Sequence, residues 1–192
     1  MANEARRWRS QATREKLLIA TEALLASRGA HGAGLTEVCA LSGVAYGSLY
    51  HQFPNGKSEL VAESVRRSGG AVGDLLEAVL ASMPLVDAVD VMFSSGSHLL
   101  EASQFTRGCP VGTPAISGDD EALYVAAAAV FERWTALIAA AAKRAGSTAG
   151  PAAELASVLV SLYEGSMLVA RAERNTRPLK VAAAVAKRLV QD

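Results

Sequence analysis

Cysteine is scarce in this chain. Cys39 and Cys109 are the only two among 192 residues, too few for a disulfide framework. Histidine is nearly as rare. His31, His51 and His98 are scattered, and none stands four residues from another histidine or a cysteine, so the helical spacing of a metal site is missing. No Ser-His-acid grouping, glycine-rich phosphate loop or paired-carboxylate motif stands out, which leaves catalysis without candidate residues. The run Asp119-Asp120-Glu121 reads as a helix cap rather than chemistry. Neither an enzyme, a metal nor a cofactor is expected.

Other signals are missing too. No stretch alternates at period two for long enough to suggest a sheet. No apolar run approaches a membrane span, because the stretch around 125–134 is broken by Glu132 and Arg133. The opening MANEARRWRSQ has no hydrophobic segment after its basic residues, so a cytoplasmic protein is expected rather than a secreted one. There is no internal repeat and no long linker. Net charge is zero, yet it is unevenly spread. Residues 1–67 carry nine Lys/Arg against six Asp/Glu, and residues 68–192 carry ten against thirteen. A basic head on an acidic body suits phosphate contact at one end.

What is there is a compact pattern from Gly34 to Lys57. Leu35, Val38, Cys39 and Leu41 give a short helix an apolar stripe, with Gly34 as its N-cap and Glu37 at the capping-box position. Gly43 marks a tight turn. Leu49 and Phe53 then lie four apart on one face of a second short helix, about Ala45 to Gln52, which stops at Pro54-Asn55-Gly56. Ala45, Tyr46, Gly47, Ser48 and His51 are left pointing elsewhere. Two short helices joined by a glycine-containing turn form a helix-turn-helix, whose second helix fits the DNA major groove. Tyr46 offers a hydroxyl and a ring edge for a thymine methyl, Ser48 a donor or acceptor for base edges, and Gly47 close backbone approach. Lys57 stands at a helix N-terminus, where free N–H groups favour an anion. Thr36, near the start of the preceding helix, follows the same logic.

The run YGSLYHQFPNGKSEL resembles the DNA-binding domain of the TetR family of repressors, with Gly43, Gly47, Ser48, Leu49, Tyr50, Phe53 and Lys57 in register. The likeness covers roughly Gln11 to Ala71. The Phe-Pro-x-Gly-Lys spelling at 53–57 and GCPVGTPA at 108–115 are similar to the LmrA/YxaF-like branch. The resemblance implies that Tyr50, His51 and Lys57 clamp the DNA backbone. Two departures stand out: Ala45 replaces the usual Ser, Thr or Pro, and Tyr46 replaces a frequent Lys or Arg. Both remove donors, which shifts specificity toward apolar contacts and DNA shape.

The rest of the chain reads as helices over about 11–28, 57–80, 85–103, 121–144, 152–171 and 178–190. The expected fold is all-α: an N-terminal three-helix helix-turn-helix domain and a C-terminal helical bundle, about nine helices in total. Gly29 closes the first helix, with Arg14, Lys16 and Glu22 toward water and His31 in a solvated loop. Gly69-Gly70 marks a bend or weak point in the fourth helix. Met1 to Ser10 reads as a mobile Arg-rich arm, either a solvated tail or a contact from Arg6, Arg7 and Arg9 to DNA. The division expected is 1–56 for the arm and DNA-binding domain, 57–83 for a connecting helix, and 84–192 for ligand binding and dimerisation.

The resemblance implies a homodimer, a double-stranded DNA operator and a small-molecule effector, with no membrane partner. Met92, Phe93, His98, Phe105, Trp134, Tyr163 and Met167 are candidates to line the effector cavity, or are ordinary core. Small residues in the last two helices permit close helix approach, between subunits or within one. Cys39 reads as a buried small hydrophobe. Cys109, in a Gly/Pro-rich loop with only Arg107 nearby, reads as structural, with a thiol sensor as the alternative. Two rivals to a ligand-responsive repressor remain at this level. One is a helical interaction module without DNA binding, favoured by the missing cation at position 46. The other is a small-molecule-binding or catalytic helical protein with an incidental helix-turn-helix.

Overall fold

The computed structural model describes residues 2–191, and the side chains of all of these except residues 2–6 and 149. The described residues form nine helices and no strand: α1 (Ala2–Gly32), α2 (Leu35–Ser42), α3 (Tyr46–Gln52), α4 (Gly56–Ser82), α5 (Leu85–Ala102), α6 (Gly112–Ala115), α7 (Glu121–Arg144), α8 (Ala149–Glu173) and α9 (Arg177–Gln191). They gather into two compact units. The first holds the chain up to Gly69 with Pro110–Ala127, and the second holds Gly70–Cys109 with the chain from Ala128 onward.

In the first unit, Leu17, Leu18, Leu24 and Leu25 of α1 are buried with Val38, Leu49, Phe53, Leu60, Val61 and Val65. Each such side chain contributes about 1.5–3 kcal/mol relative to exposure. Arginines tie α1 to α4: Arg14 pairs with Glu63, and Arg67 pairs with Glu15 and, at 2.6 Å, with Glu22. Hydrogen bonding to Glu22, more than to Glu15, raises the Arg67 pKa against the opposing effect of burial. The expectation that Arg14 and Glu22 face water is therefore corrected; both are half-buried and ion-paired.

Local chemistry sets the helix ends. Gly43 ends α2 at φ 66°, the left-handed C-cap that a residue without Cβ adopts most readily. Gly29 breaks α1 at φ 68°, ψ −172°. Its neighbour Ala30 has left the helical ladder, and the Ala30 N–H donates to Ser117 Oγ at 2.9 Å. Asp120 accepts from the Leu123 N–H at 3.1 Å, capping α7 as expected, and also accepts from the Ser58 hydroxyl at 3.0 Å.

Five local expectations are corrected. The arm is helical from Ala2, continuous with the rest of α1. Leu41 is exposed, because a residue six positions after Leu35 falls about 240° around the helix and off its buried face. Cys39 is half-buried rather than buried. Glu37 is paired with Arg28 at 2.6 Å instead of closing a capping box. The fourth helix also runs unbroken through Gly69-Gly70, although the division between the units falls there.

In the second unit, α9 packs against α5 and α8 through Leu179, Ala182 and Ala186. These lie at i, i+3 and i+7 and so form one stripe. The Thr176 hydroxyl donates to Glu101 at 3.1 Å and Lys187 pairs with Asp90 at 2.5 Å. By length and composition, α7 and Gly150–Glu173 of α8 do reach what a membrane span needs, contrary to expectation. Alanine accounts for it, since it counts as apolar in either setting. α7 nevertheless turns Glu132 and Arg133 outward and buries Val130, Trp134 and Ile138, the pattern of a core helix.

Candidate nucleic-acid interface and C-terminal cavity

α3 has only seven residues, too few to hold a helix alone in water. It is held from within and at its C-terminal end. Leu49 and Phe53 are fully buried. The Gln52 side-chain amide donates to Ser10 Oγ at 2.9 Å, and the Gln52 carbonyl accepts from Arg14 at 2.6 Å. The Arg14 guanidinium also lies 4.3 Å from the centre of the Phe53 ring. Thus α1 fixes the inner face and end of α3, and its outer side is left for something else.

That outer side carries Ala45, Tyr46, Gly47, Ser48, Tyr50 and His51, all exposed. A Cβ added at Gly47 would meet nothing within 4 Å, so none of the described residues covers this turn. Tyr46 and Tyr50, four apart, have ring centroids 5.5 Å apart. A hydrogen bond to Tyr50 raises the Tyr46 pKa, so Tyr46 presents a neutral hydroxyl and a ring edge. Tyr50 lies against Gly56, where a Cβ would sit 3.2 Å from its ring. Thr36 is exposed in the first turn of α2. Lys57 is placed differently: it is half-buried and borders a small hollow shared with His31, Ser58, Asp119 and Asp120.

The second unit contains a cavity of about 100 Å³, open to solvent. Its walls are Val72, Leu75, Leu76 and Val79 of α4, Val91, Met92 and Ser95 of α5, Trp134 and Ile138 of α7, and Val160 and Tyr163 of α8. None is charged. Burial raises the Tyr163 pKa, so its hydroxyl stays neutral. Such a space suits an apolar, uncharged molecule with one or two hydrogen-bonding groups.

Comparison with known proteins gives the family. A family model described as bacterial regulatory proteins, tetR family, matches residues 17–64. A second, described as the C-terminal domain of LmrA/YxaF-like transcriptional regulators, matches residues 86–185, just over half the chain. An HTH-type transcriptional regulator of Mycobacterium tuberculosis is 32% identical over 176 residues, spanning 88% of this chain and 89% of that protein. The chain belongs to the TetR family. It is a transcriptional regulator with a helix-turn-helix DNA-binding domain. The regulator YxaF of Bacillus subtilis is 31% identical over 173 residues, with 87% and 89% of the two chains covered. The same fold is seen in a cysteine mutant of the TetR-family regulator CifR complexed with 26-bp operator DNA. It has TM-score 0.73 and 22% identity, over 91% of this chain and 94% of that one.

In this TetR-family chain the structure gathers Met92, Trp134 and Tyr163 at the apolar cavity. Phe93 and His98 instead border a second, more polar groove with Asp90, Glu101 and Lys180. Met167 and Phe105 border neither. Met167 is buried, and its sulfur would lie 2.9 Å from a Cβ at Gly96. Phe105 is half-buried and sits at φ 60° just past the end of α5. The α4 wall was missed, although Val72, Leu75, Leu76 and Val79 fall at i, i+3, i+4 and i+7 and could have been read as an apolar face.

One buried group in the regulator's second unit titrates unusually. Burial pushes the Glu164 carboxyl up to about 7, against a hydrogen bond from the Cys109 thiol that pulls it down. Glu164 Oε1 is buried without a hydrogen-bond partner among the described residues. Cys109 is itself buried. Because the folded pKa is raised, the folded chain holds this proton more tightly than the unfolded one. The contribution is neutral below the unfolded pKa and becomes destabilising as pH rises toward 7. Glu164→Gln removes the titration. Urea unfolding of parent and variant should therefore diverge by about 2–3 kcal/mol between pH 5 and pH 8, in the variant's favour. A constant difference across that range would contradict this account.

Proposed function

We propose that this regulator is a homodimeric, cytoplasmic repressor that binds a palindromic operator and releases it when a small molecule enters the C-terminal cavity. The carrying observation is the outer side of α3, exposed while its inner side and end are locked to α1. On this reading Tyr46, Gly47 and Ser48 face base edges from Ala45 onward, and Thr36, Tyr50, His51 and Lys57 touch phosphates. Residues 1–56 serve DNA binding, 57–83 connect, and 84–192 hold the effector and the partner subunit. The known operator complex of CifR supports DNA as the partner. Membership of a family of transcriptional regulators supports a role without catalysis.

The dimer reading rests on the surface of the last two helices. Val158, Leu168 and Val169 of α8 and Val181 and Leu189 of α9 are exposed. Gly165, among them, has open space where its Cβ would be. A two-fold pair of such faces would bury them and fix the separation of two α3 helices. An effector loosens DNA only if it binds the DNA-free conformation more tightly than the DNA-bound one.

Selection from a randomised duplex pool tests the proposal. The recovered sequences should be inverted repeats with half-site centres about 10 base pairs, or one helical turn, apart. A pool that yields nothing bound more tightly than random DNA at about 0.15 M salt, where Debye screening is about 8 Å, would sink it.

A further inference from the structure

We propose that the groove between α5 and α9 is a second small-molecule site, separate from the apolar cavity, and that it takes a zwitterion of the amino-acid class with an apolar side chain. The inference does not depend on the DNA-reading role of α3.

Shape is the first argument. α5 and α9 are linked at two places: Lys187 pairs with Asp90, and the Thr176 hydroxyl donates to Glu101. Each helix advances eleven residues between the links, 90 to 101 and 176 to 187, so the two run antiparallel in one register. At a rise of about 1.5 Å per residue the links stand about 16 Å apart. Between them the register sets Ser94 against Ala183 and Ser97 against Lys180. Small side chains at Ser94 and Ala183 leave room between the helices, and a groove of about 440 Å³ results. That lies within the range of about 300–1,000 Å³ usual for small-molecule sites. Phe93 and Leu179, both buried, give it an apolar floor.

Charge is the second argument. Lys187 neutralises Asp90. Glu101 has no such partner, because Thr176 offers it only a neutral hydroxyl, at one oxygen. Lys180, one turn beyond Thr176 on α9, is exposed and forms no ion pair with any described residue. One anion and one cation therefore stand on the two walls of the groove, in neighbouring turns, without pairing with each other. A molecule carrying both complementary charges satisfies both walls. Its carboxylate accepts from Lys180, and from His98, which is exposed one turn before Glu101 on the same face. Its ammonium donates to the second Glu101 oxygen, and its side chain lies over Phe93, Leu179 and Ala183. A molecule with only one of the charges leaves Lys180 or Glu101 uncompensated.

Access is the third. Around α9, the exposed Val181 and Leu189 centre roughly 160° away from Lys180, Ala183 and Lys187. A partner subunit seated on the apolar side of α9 leaves the groove open. The apolar cavity takes Val91, Met92 and Ser95 from another side of α5, and the two spaces share no wall residue.

The test uses the full chain. Thermal melts are recorded with each of the twenty common L-amino acids at about 10 mM, since a ligand of the folded chain raises the midpoint. The strongest stabiliser, expected to have an apolar side chain such as that of leucine, is then titrated by calorimetry. Its amide, which lacks the carboxylate, and its deaminated acid, which lacks the ammonium, should each bind roughly ten-fold more weakly. Lys180→Ala and Glu101→Gln should weaken the intact amino acid to a similar degree, and Ala183→Leu, which fills the groove, should abolish binding. Gln keeps an acceptor for Thr176, and Lys180 is exposed, so ligand-free melts of these two variants should match the parent. If either melts lower, Lys180→Glu, which reverses one exposed charge, decides in its place. The inference is overturned if no amino acid raises the midpoint, if the best one has a charged side chain, or if the amide or the acid binds as tightly. Unchanged affinity in both Lys180→Ala and Glu101→Gln also overturns it, and assigns the ligand to another site. None of these outcomes alters the reading of α3, which stands or falls on selection of a duplex.

Discussion

Phe53→Ala should abolish DNA binding by melting the helix-turn-helix. Phe53 is fully buried at the end of α3, beneath the Arg14 guanidinium 4.3 Å from its ring centre. Truncating a buried phenylalanine costs about 3–5 kcal/mol, and the cation–π contact adds about 0.5–2 kcal/mol. The ring also supports Arg14 in its bonds to the Gln52 carbonyl and to Glu63. A domain stability of about 5–15 kcal/mol leaves little after such a loss. Far-UV circular dichroism should report a lower unfolding midpoint, and anisotropy on a selected duplex should report no binding at 37 °C. Phe53→Leu, which keeps most of the volume, should lose far less. A Phe53→Ala chain that melts with the parent would show that α3 is held by something other than this contact.

The helix-turn-helix was legible because its signals are local and mutually consistent. Gly43 could be recognised as the left-handed stop of α2, and Leu49 and Phe53 as one face of α3, from spacing alone. What the spacing could not supply was partner choice across the chain. Arg14 looks like a solvated cation in sequence, yet it joins α1, α3 and α4 through Gln52, Phe53 and Glu63. The opening ten residues look like a basic tail. Ala, Glu and Arg are nonetheless good helix formers, and Ser10 is anchored to Gln52 forty-two residues later. Glycines at 69 and 70 each cost a helix about 1 kcal/mol relative to alanine, which α4 absorbs through residues buried on either side, Val65 and Leu76. The cavity was only half legible. Choosing aromatics and methionines found Met92, Trp134 and Tyr163 but also Phe93 and Met167, because a large apolar side chain can fill a core as well as line a space. The aliphatic wall from α4 escaped notice once that helix had been read as a connector alone.

Gly29→Ala should be the most damaging change of one methyl group in the chain. At φ 68° and ψ −172° the backbone occupies a region open essentially to glycine alone, and forcing a side chain there costs about 1–3 kcal/mol. Space is the second obstacle. A Cβ at this position would stand 2.1 Å from Ser117 Oγ and 2.7 Å from Ser117 Cβ. Rotating the hydroxyl away cannot relieve the second contact, so the Ser117 backbone must move. Ser117 Oγ is also the acceptor for the Ala30 N–H and donates to the Thr113 carbonyl at 2.8 Å. Displacing it leaves a buried N–H unpaired, worth about 1–3 kcal/mol more. A total near 4 kcal/mol is expected, read as a lower urea midpoint with unchanged slope. Ser117→Ala alone should cost about 1–2 kcal/mol, since it orphans the same N–H without straining the turn. The pair G29A/S117A should then be less destabilised than the two changes added, because the Ser117–Ala30 bond can be lost only once. Strict additivity, or a Gly29→Ala effect below about 1 kcal/mol, would mean that the chain between α6 and α7 is not held on α1 by this hydrogen bond, and that the kink relaxes without it.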